Sequence, residues 1–212
     1  MRGSVLLLIM IGCIILLSIT FQLVVGEREP VKTIKFNWIW EETPSFCFYT
    51  EQYQNNSKVA IDLWNEALPN TFIVDYRFVN FTTDTSMCNN HAFFYPQVVI
   101  VDYESVLGYA DCRFNQSWNQ YCFLIIATDR DFGFDYDTSL TTTIMMEIGH
   151  SYGLKHSVTR NNLDFCIDDV MATPHCEKTL QVLPFHVEAL KCRYGDNGWE
   201  IPNYPECKVY EE

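Results

Sequence analysis

Residues 146–156 of this 212-residue chain read MEIGHSYGLKH. They lie on and just beyond residues 138–152, a stretch whose composition favours one long helix. Gly153 is placed to end that helix, because glycine readily adopts the left-handed conformation found at helix C-termini. The stretch therefore predicts that side chains from the helix and from the segment after it meet at one end of the helix.

Two histidines and a glutamate in this stretch have the spacing of a hydrolytic metal site. Residues four apart lie on one helix face, so positions 146 and 150 project side by side and Glu147 is offset by one step. His150 and His156 can hold zinc through their imidazoles, and Glu147 beside a bound water is placed as a general base. Taken singly, such histidines are more often surface or core residues, but the combined pattern favours ligands.

The stretch resembles the metzincin zinc signature His-Glu-x-x-His-x-x-Gly-x-x-His, and Ser157 after the last histidine resembles its matrixin variant, found in matrix metalloproteinases. Met171, in the run DVMA, resembles the Met-turn beneath the metal, while residues 60–64 and 183–195 resemble the first and closing helices. The resemblance spans about residues 31–195. It implies an α+β, metzincin-like zincin fold with a twisted mixed sheet, a central active-site helix and a C-terminal helix, reinforced by disulfides. It also implies an extracellular zinc metalloendopeptidase.

The sequence departs from that family at the first zinc ligand, because position 146 is a methionine. A thioether is a soft, uncharged donor that suits Cu(I) better than Zn(II), so two good protein ligands remain. Three other histidines lack the helical spacing to replace the missing one: His91, His175 and His186. The leading hypothesis is a pseudoprotease that binds an extracellular protein or peptide. The alternatives are an active zinc metalloendopeptidase with His150, His156 and a non-standard third ligand, and a purely structural disulfide-rich component.

Residues 149–153 (GHSYG) also fit the Gly-x-Ser-x-Gly nucleophile elbow of serine hydrolases. That motif requires a strand before the serine. Residues 138–147 are predicted to be helical, so a serine hydrolase is disfavoured.

The N-terminus has the character of a targeting segment. Arg2 precedes an apolar run over residues 5–25, and small residues end it at Gly26, which predicts a signal peptide over residues 1–26. The run approaches the roughly 20 residues that span a bilayer, so an uncleaved anchor is the alternative and the one case with a membrane partner. The predicted mature chain comprises a domain over residues 27–195 and a tail over residues 196–212.

Composition and cysteine content place the mature chain outside the cell. A chain that is 48% hydrophobic is not a disordered tail, and a formal charge of -13 disfavours nucleic acid as a partner. No Cys-x-x-Cys pair occurs, so the cysteines are predicted to form disulfides rather than a metal knuckle. The candidates are Cys47, Cys88, Cys112, Cys122, Cys166, Cys176, Cys192 and Cys207. Cys166 and Cys176 flank the predicted Met-turn, and a bridge between them is one pairing among many.

Glycan and calcium sites are predicted from weaker patterns. Three Asn-x-Ser/Thr sequons mark candidate glycosylation sites at Asn55, Asn80 and Asn115. Four alternating carboxylates can offer oxygens to calcium, although solvated charge explains them better: Asp129, Asp131, Asp135 and Asp137. Six aromatic residues are predicted to pack in the core and around disulfides rather than form a ligand platform: Trp38, Trp40, Phe46, Phe48, Tyr49 and Tyr53.

Hydrophobic patterns elsewhere predict a sheet-rich first part followed by helices. Four strands are predicted, at residues 34–40, 72–81, 97–103 and 123–128. The strand at 97–103 is apolar enough to lie inside a sheet. Ser57 is the predicted cap of a first helix that ends at residues 68–70, and residues 183–194 form the predicted last helix, stopped by Gly195.

Overall fold

The computed structural model describes residues 40–82, 86–96, 99–101, 104–114, 120–128, 136–156, 170–171, 181–195 and 198–199. Of residues 99–101 and 104–106 it describes the backbone only. Several predictions fall outside these residues: those on the leader, the tail apart from residues 198–199, the strand at 34–40 apart from Trp40, Ser157, His175, Asn115, Asp129, Asp131, Asp135, Cys166, Cys176 and Cys207.

A five-stranded mixed sheet forms the framework of the described chain, in the order β2-β1-β3-β7-β6. Four adjacent strands are parallel to one another: β1 (Ser45–Tyr49), β2 (Asp75–Val79), β3 (Asn90–Tyr95) and β7 (Gln120–Ala127). The fifth, β6 (Gly108–Phe114), pairs antiparallel with β7 and forms one edge of the sheet. The predicted mixed sheet is therefore confirmed, with β2 and β7 falling on two of the predicted strands.

The strand predicted at residues 97–103 is a strand over its described residues, but its predicted position inside a sheet is wrong. Val99–Val101 (β4) pairs antiparallel with Glu104–Val106 (β5) in a separate two-stranded sheet. A short apolar run indicates that a segment is suited to burial, but it does not indicate which strand the segment will pair with. Here the partner is β5, which follows β4 after two intervening residues.

Three α-helices of the described residues accompany the sheet: α1 (Gln54–Ala67), α2 (Tyr136–Ser151) and α3 (Pro184–Tyr194). The predicted cap at Ser57 is wrong, since α1 begins at Gln54 and Ser57 lies inside it with no exposed surface. The chain turns into α1 where the Tyr53 N–H donates to Thr50 Oγ1 over 2.8 Å, a local serine/threonine turn that competes with a cap at Ser57.

The helices and one face of the sheet enclose an apolar core. Trp64 of α1 joins α2 through a hydrogen bond from its Nε1 to Met145 O over 2.9 Å. Its ring meets Tyr152 edge-on at 5.3 Å, and Tyr152 meets Phe46 of β1 in the same way at 6.0 Å. This chain of contacts fixes the C-terminal end of α2 against both α1 and the sheet.

The predicted core aromatics divide into two groups. Trp40, Phe46 and Phe48 are fully buried, which confirms the prediction for them, and Tyr53 packs against the core from its edge. Tyr49 contradicts the prediction, because it stacks at 4.6 Å on Phe93 and lies on the opposite face of β1 from Phe46 and Phe48. The period-two alternation of a strand explains the split.

Two disulfides reinforce the sheet, as predicted. Cys47 of β1 bonds to Cys88, just before β3, and Cys112 of β6 bonds to Cys122 on the adjacent strand. Cys192 is disulfide-bonded as well. Within the described segments, no helix combines the length and apolar character needed to cross a bilayer. The disulfides are consistent with an extracellular protein.

Candidate functional site

The C-terminus of α2 ends in a sharp glycine turn, as the sequence predicts. Gly153 has φ 93°, in the left-handed region that favours glycine. Its N–H donates to His150 O over 2.9 Å, and the Leu154 N–H donates to Gly149 O over 3.0 Å. These two bonds form a Schellman motif, which satisfies carbonyls left over at the helix end and reverses the chain.

Two residues distant in sequence satisfy the other carbonyls at this helix end. Trp40 donates from Nε1 to Ser151 O over 2.7 Å. The Tyr194 hydroxyl donates to Tyr152 O over 3.2 Å and accepts the Trp40 N–H over 3.1 Å. The last turn of a helix has four such carbonyls without intrahelical partners, so these bonds hold the turn in place.

The turn brings His150 and His156 together. Their Nε2 atoms are 3.0 Å apart, and their ring centroids are separated by 4.7 Å. His150 Nδ1 lies 2.7 Å from Leu154 O, so Nδ1 carries the proton and donates, which leaves Nε2 as an acceptor. His156 therefore donates its Nε2–H to His150 when both rings are neutral. Partial desolvation lowers the pKa of His156 from its ordinary 6.5, which favours this neutral pair.

Glu147 is buried in an apolar setting. Its side chain is 2% exposed, and Oε2 has no hydrogen-bond partner among the described atoms. Burial raises the pKa of Glu147 to about 8, because removing a carboxylate from water disfavours the charged form. The carboxyl is therefore mostly protonated at neutral pH, and a protonated carboxyl does not accept a proton from water.

Gly108 of β6 makes room for the Glu147 carboxyl. A Cβ at position 108 would lie 2.8 Å from Glu147 Oε1 and 2.9 Å from Ile125 O. The sequence analysis missed this residue, since Gly108 is 39 positions before Glu147 and no local pattern joins them. A glycine inside a strand is the available signal, since it often marks a close approach.

Gly108→Ala is expected to reduce the free energy of unfolding by about 1–3 kcal/mol, because the new methyl group collides with the Glu147 side chain and with Ile125 O. Chemical denaturation in urea measures the change. In a Glu147→Ala background the same substitution should cost at least about 0.5 kcal/mol less, since the side-chain part of the collision is gone. If the two substitutions change the free energy of unfolding additively, Gly108 and the Glu147 side chain are not in contact.

Met171 lies directly against α2. A Cβ at Gly149 would be 2.4 Å from Met171 Sδ and 3.0 Å from the Trp64 ring, so only glycine fits there without movement. Met171 and Val170 are both fully buried, and the assignment of Met171 to a Met-turn stays a prediction. The close approach at Gly149 was not predicted, although a glycine inside a helix is a signal of packing.

Met146 does not complete a metal site. It is 3% exposed and belongs to the hydrophobic core. His91 lies on the outer face of the sheet beside Tyr49, and His186 of α3 lies 6.1 Å from the Trp64 ring. In the part of the chain that the structure describes, no group of three or more His, Cys, Asp or Glu side chains could hold a metal ion.

The donor set of the described residues therefore does not fit a catalytic zinc, which takes three protein ligands and an open fourth position. The described chain offers two imidazoles, already joined by a hydrogen bond, and a thioether within the core. Of the four candidate calcium carboxylates only Asp137 is described, in the first turn of α2.

Comparisons with known proteins give little further guidance. No protein-family model matches the sequence, and no curated protein matches it. A crystal structure of myroilysin, a metalloprotease, matches with a TM-score of 0.41 and 11% identity over 79% of this chain and 92% of that chain. This likeness is distant, so the chemistry of the site follows from its own distances and burial.

Proposed function

We propose that the chain is a secreted, matrixin-like pseudoprotease, which keeps the architecture of a zinc peptidase and binds an extended peptide or a protein partner without cleaving it. One observation carries the proposal: Met146, at the position of the first zinc ligand in the resembling motif, is buried in the apolar core. An uncharged thioether held in the core does not replace an imidazole as a donor for zinc.

The state of Glu147 supports the same conclusion. A hydrolase needs this carboxylate ionised at working pH in order to accept a proton from water. Burial raises the pKa of Glu147 to about 8, so the protein environment on its own favours the neutral form at pH 7. The Nε2 atoms of His150 and His156 also lie 3.0 Å apart, within hydrogen-bond distance of each other.

The edge of the sheet supports peptide binding. β6 is the antiparallel edge strand, and its Gly108 adjoins Glu147 on α2. An edge strand presents backbone N–H and C=O groups with which an extended peptide can pair. The disulfides Cys47–Cys88 and Cys112–Cys122 support secretion, because such bonds persist in oxidising compartments.

The test measures zinc content and peptide hydrolysis on the full chain purified from a secretory host. After dialysis against zinc-containing buffer, we expect far less than one zinc per chain. We also expect hydrolysis of a fluorogenic peptide panel equal to that of the Glu147→Gln variant. Labelled peptides from the same panel should raise fluorescence anisotropy on binding and be recovered intact.

An active zinc metalloendopeptidase is the second candidate, and the convergence of the His150 and His156 Nε2 atoms favours it. His150 is also oriented through Nδ1 by a backbone carbonyl, as zinc-binding histidines commonly are. Stoichiometric zinc together with hydrolysis that is lost in chelator and in Glu147→Gln would establish this candidate and overturn the pseudoprotease.

A further inference from the structure

The outer face of the sheet, opposite the helices, carries a continuous aromatic patch. Strand register places its members side by side: Tyr49 is opposite Phe93, and His91 is opposite Phe123. Phe46 and Phe48 point the other way into the core. We define the patch as Tyr49, Phe81, His91, Phe93, Tyr121 and Phe123.

The rings of the patch contact one another in sequence across the sheet. Tyr49 stacks on Phe93 at 4.6 Å and on Phe81 at 5.2 Å. Phe93 meets Phe123 at 5.8 Å, and Phe123 meets Tyr121 edge-on at 5.1 Å. The cluster is therefore ordered by its own packing, so its exposed end is held in a fixed orientation.

Phe81 is the exposed end of the patch. It is 81% exposed, yet one side of its ring is stacked on Tyr49. A large apolar ring held in water is unfavourable, and contiguous exposed apolar surface commonly marks a contact site. Phe81 is also the middle residue of the sequon Asn80-Phe81-Thr82.

The sequon has a defined local geometry. Asn80 Oδ1 accepts hydrogen bonds from the Thr82 N–H over 3.1 Å and from Thr82 Oγ1 over 2.8 Å. Both residues are exposed, so the Asn80 side chain is held at the surface, one position before Phe81 in the chain. The sequon at Asn55 differs, because it lies in the first turn of α1 with its Ser57 fully buried.

We propose that Asn80 carries an N-linked glycan whose first sugar lies on the exposed face of Phe81 and extends the aromatic patch. The axial C–H groups of a pyranose ring carry small positive charges and pack favourably on the negative face of an aromatic ring. The donor is a lipid-pyrophosphate-linked oligosaccharide. The bond from sugar C1 to the pyrophosphate oxygen breaks, the bond from C1 to Asn80 Nδ2 forms, and Nδ2 loses one proton.

The glycan proposal rests on the secretion stated in the proposed function, but it does not depend on the zinc site. The glycan proposal and the pseudoprotease proposal can therefore fail independently of each other. The chain is expressed in a glycosylating secretory host, and occupancy is measured by peptide mass mapping. We expect Asn80 to be occupied. Asn80→Gln should lower the thermal midpoint by about 2–4 °C. The Phe81→Ala substitution keeps the sequon, and in that background Asn80→Gln should change the thermal midpoint by less than about 1 °C.

Two further measurements keep the result decisive. Trimming the glycans of the folded protein to a single sugar should leave the midpoint unchanged, because the first sugar makes the contact. Asn55→Gln, on the helical side of the sheet, is the matched control and should not interact with Phe81→Ala. An unoccupied Asn80, an equal Asn80→Gln effect in both backgrounds, or a Phe81-dependent dimer that persists without glycans would overturn the proposal.

Discussion

Met146→His is expected to make thermal stability respond to zinc, whereas the natural protein should show no response. A histidine at position 146 is four residues before His150, on the same helix face, and supplies the third imidazole of the resembling motif. A ligand that binds only the folded state stabilises it by about 4 kcal/mol at a thousand times its dissociation constant. For a chain of this size that corresponds to an increase of about 8–16 °C in the thermal midpoint.

The same variant should be less stable than the natural protein when zinc is chelated. Met146 is 3% exposed, and a buried imidazole without a partner costs about 1–3 kcal/mol. Met146→Leu is the matched control, because it keeps apolar volume and adds no donor. If zinc raises the thermal midpoint of the leucine variant or of the natural protein, the missing imidazole at position 146 is not what prevents zinc binding.

Glu147→Gln is expected to remove a loss of stability that the natural protein suffers between about pH 4.5 and pH 8. The folded-state pKa of Glu147 is raised from 4.5 to about 8, so in that window the folded state holds a proton that the unfolded state has released. The unfolded state then binds fewer protons, and the free energy of unfolding falls as pH rises. A shift of this size corresponds to at most about 5 kcal/mol.

The measurement is urea unfolding from pH 5 to pH 9 in chelator, taken as the difference between Glu147→Gln and the natural protein. The variant should gain relative stability steadily with pH and level off above pH 8. The matched control is Glu66→Gln, which makes the same substitution at an exposed position of α1. A flat profile for Glu147→Gln would mean that the carboxyl ionises in the fold as readily as in water.

Local chemistry explains which parts of the site could be predicted. The helix end, the glycine turn at Gly153 and the approach of His156 to His150 all depend on residues within one short stretch, and the structure agrees with each. The contact of Gly108 with Glu147 and that of Gly149 with Met171 depend on residues far apart in sequence. Nothing in the local pattern at Gly108 says that a carboxyl from another element needs the space.

The same distinction applies to the fold. Helices α2 and α3 were predicted to within about two residues, because helix periodicity and the terminal glycines are local signals. Strands β1 and β3 were not predicted. Both are short and pair in parallel with distant partners, so their formation depends on neighbours that are remote in sequence. Tyr49 was assigned to the core because composition does not reveal the face of a strand that was not recognised.

The hydrogen bonds from Trp40 have a consequence for how the protein is made. Its backbone N–H binds Tyr194, 154 residues later, and its indole binds Ser151, 111 residues later. During synthesis from the N-terminus, the helix end that carries His150 cannot acquire its full set of partners until Tyr194 has left the ribosome. The hydrogen bonds that hold this helix end are therefore completed late in synthesis, and a chain that stops before Tyr194 lacks the bonds of its hydroxyl to Trp40 N and Tyr152 O.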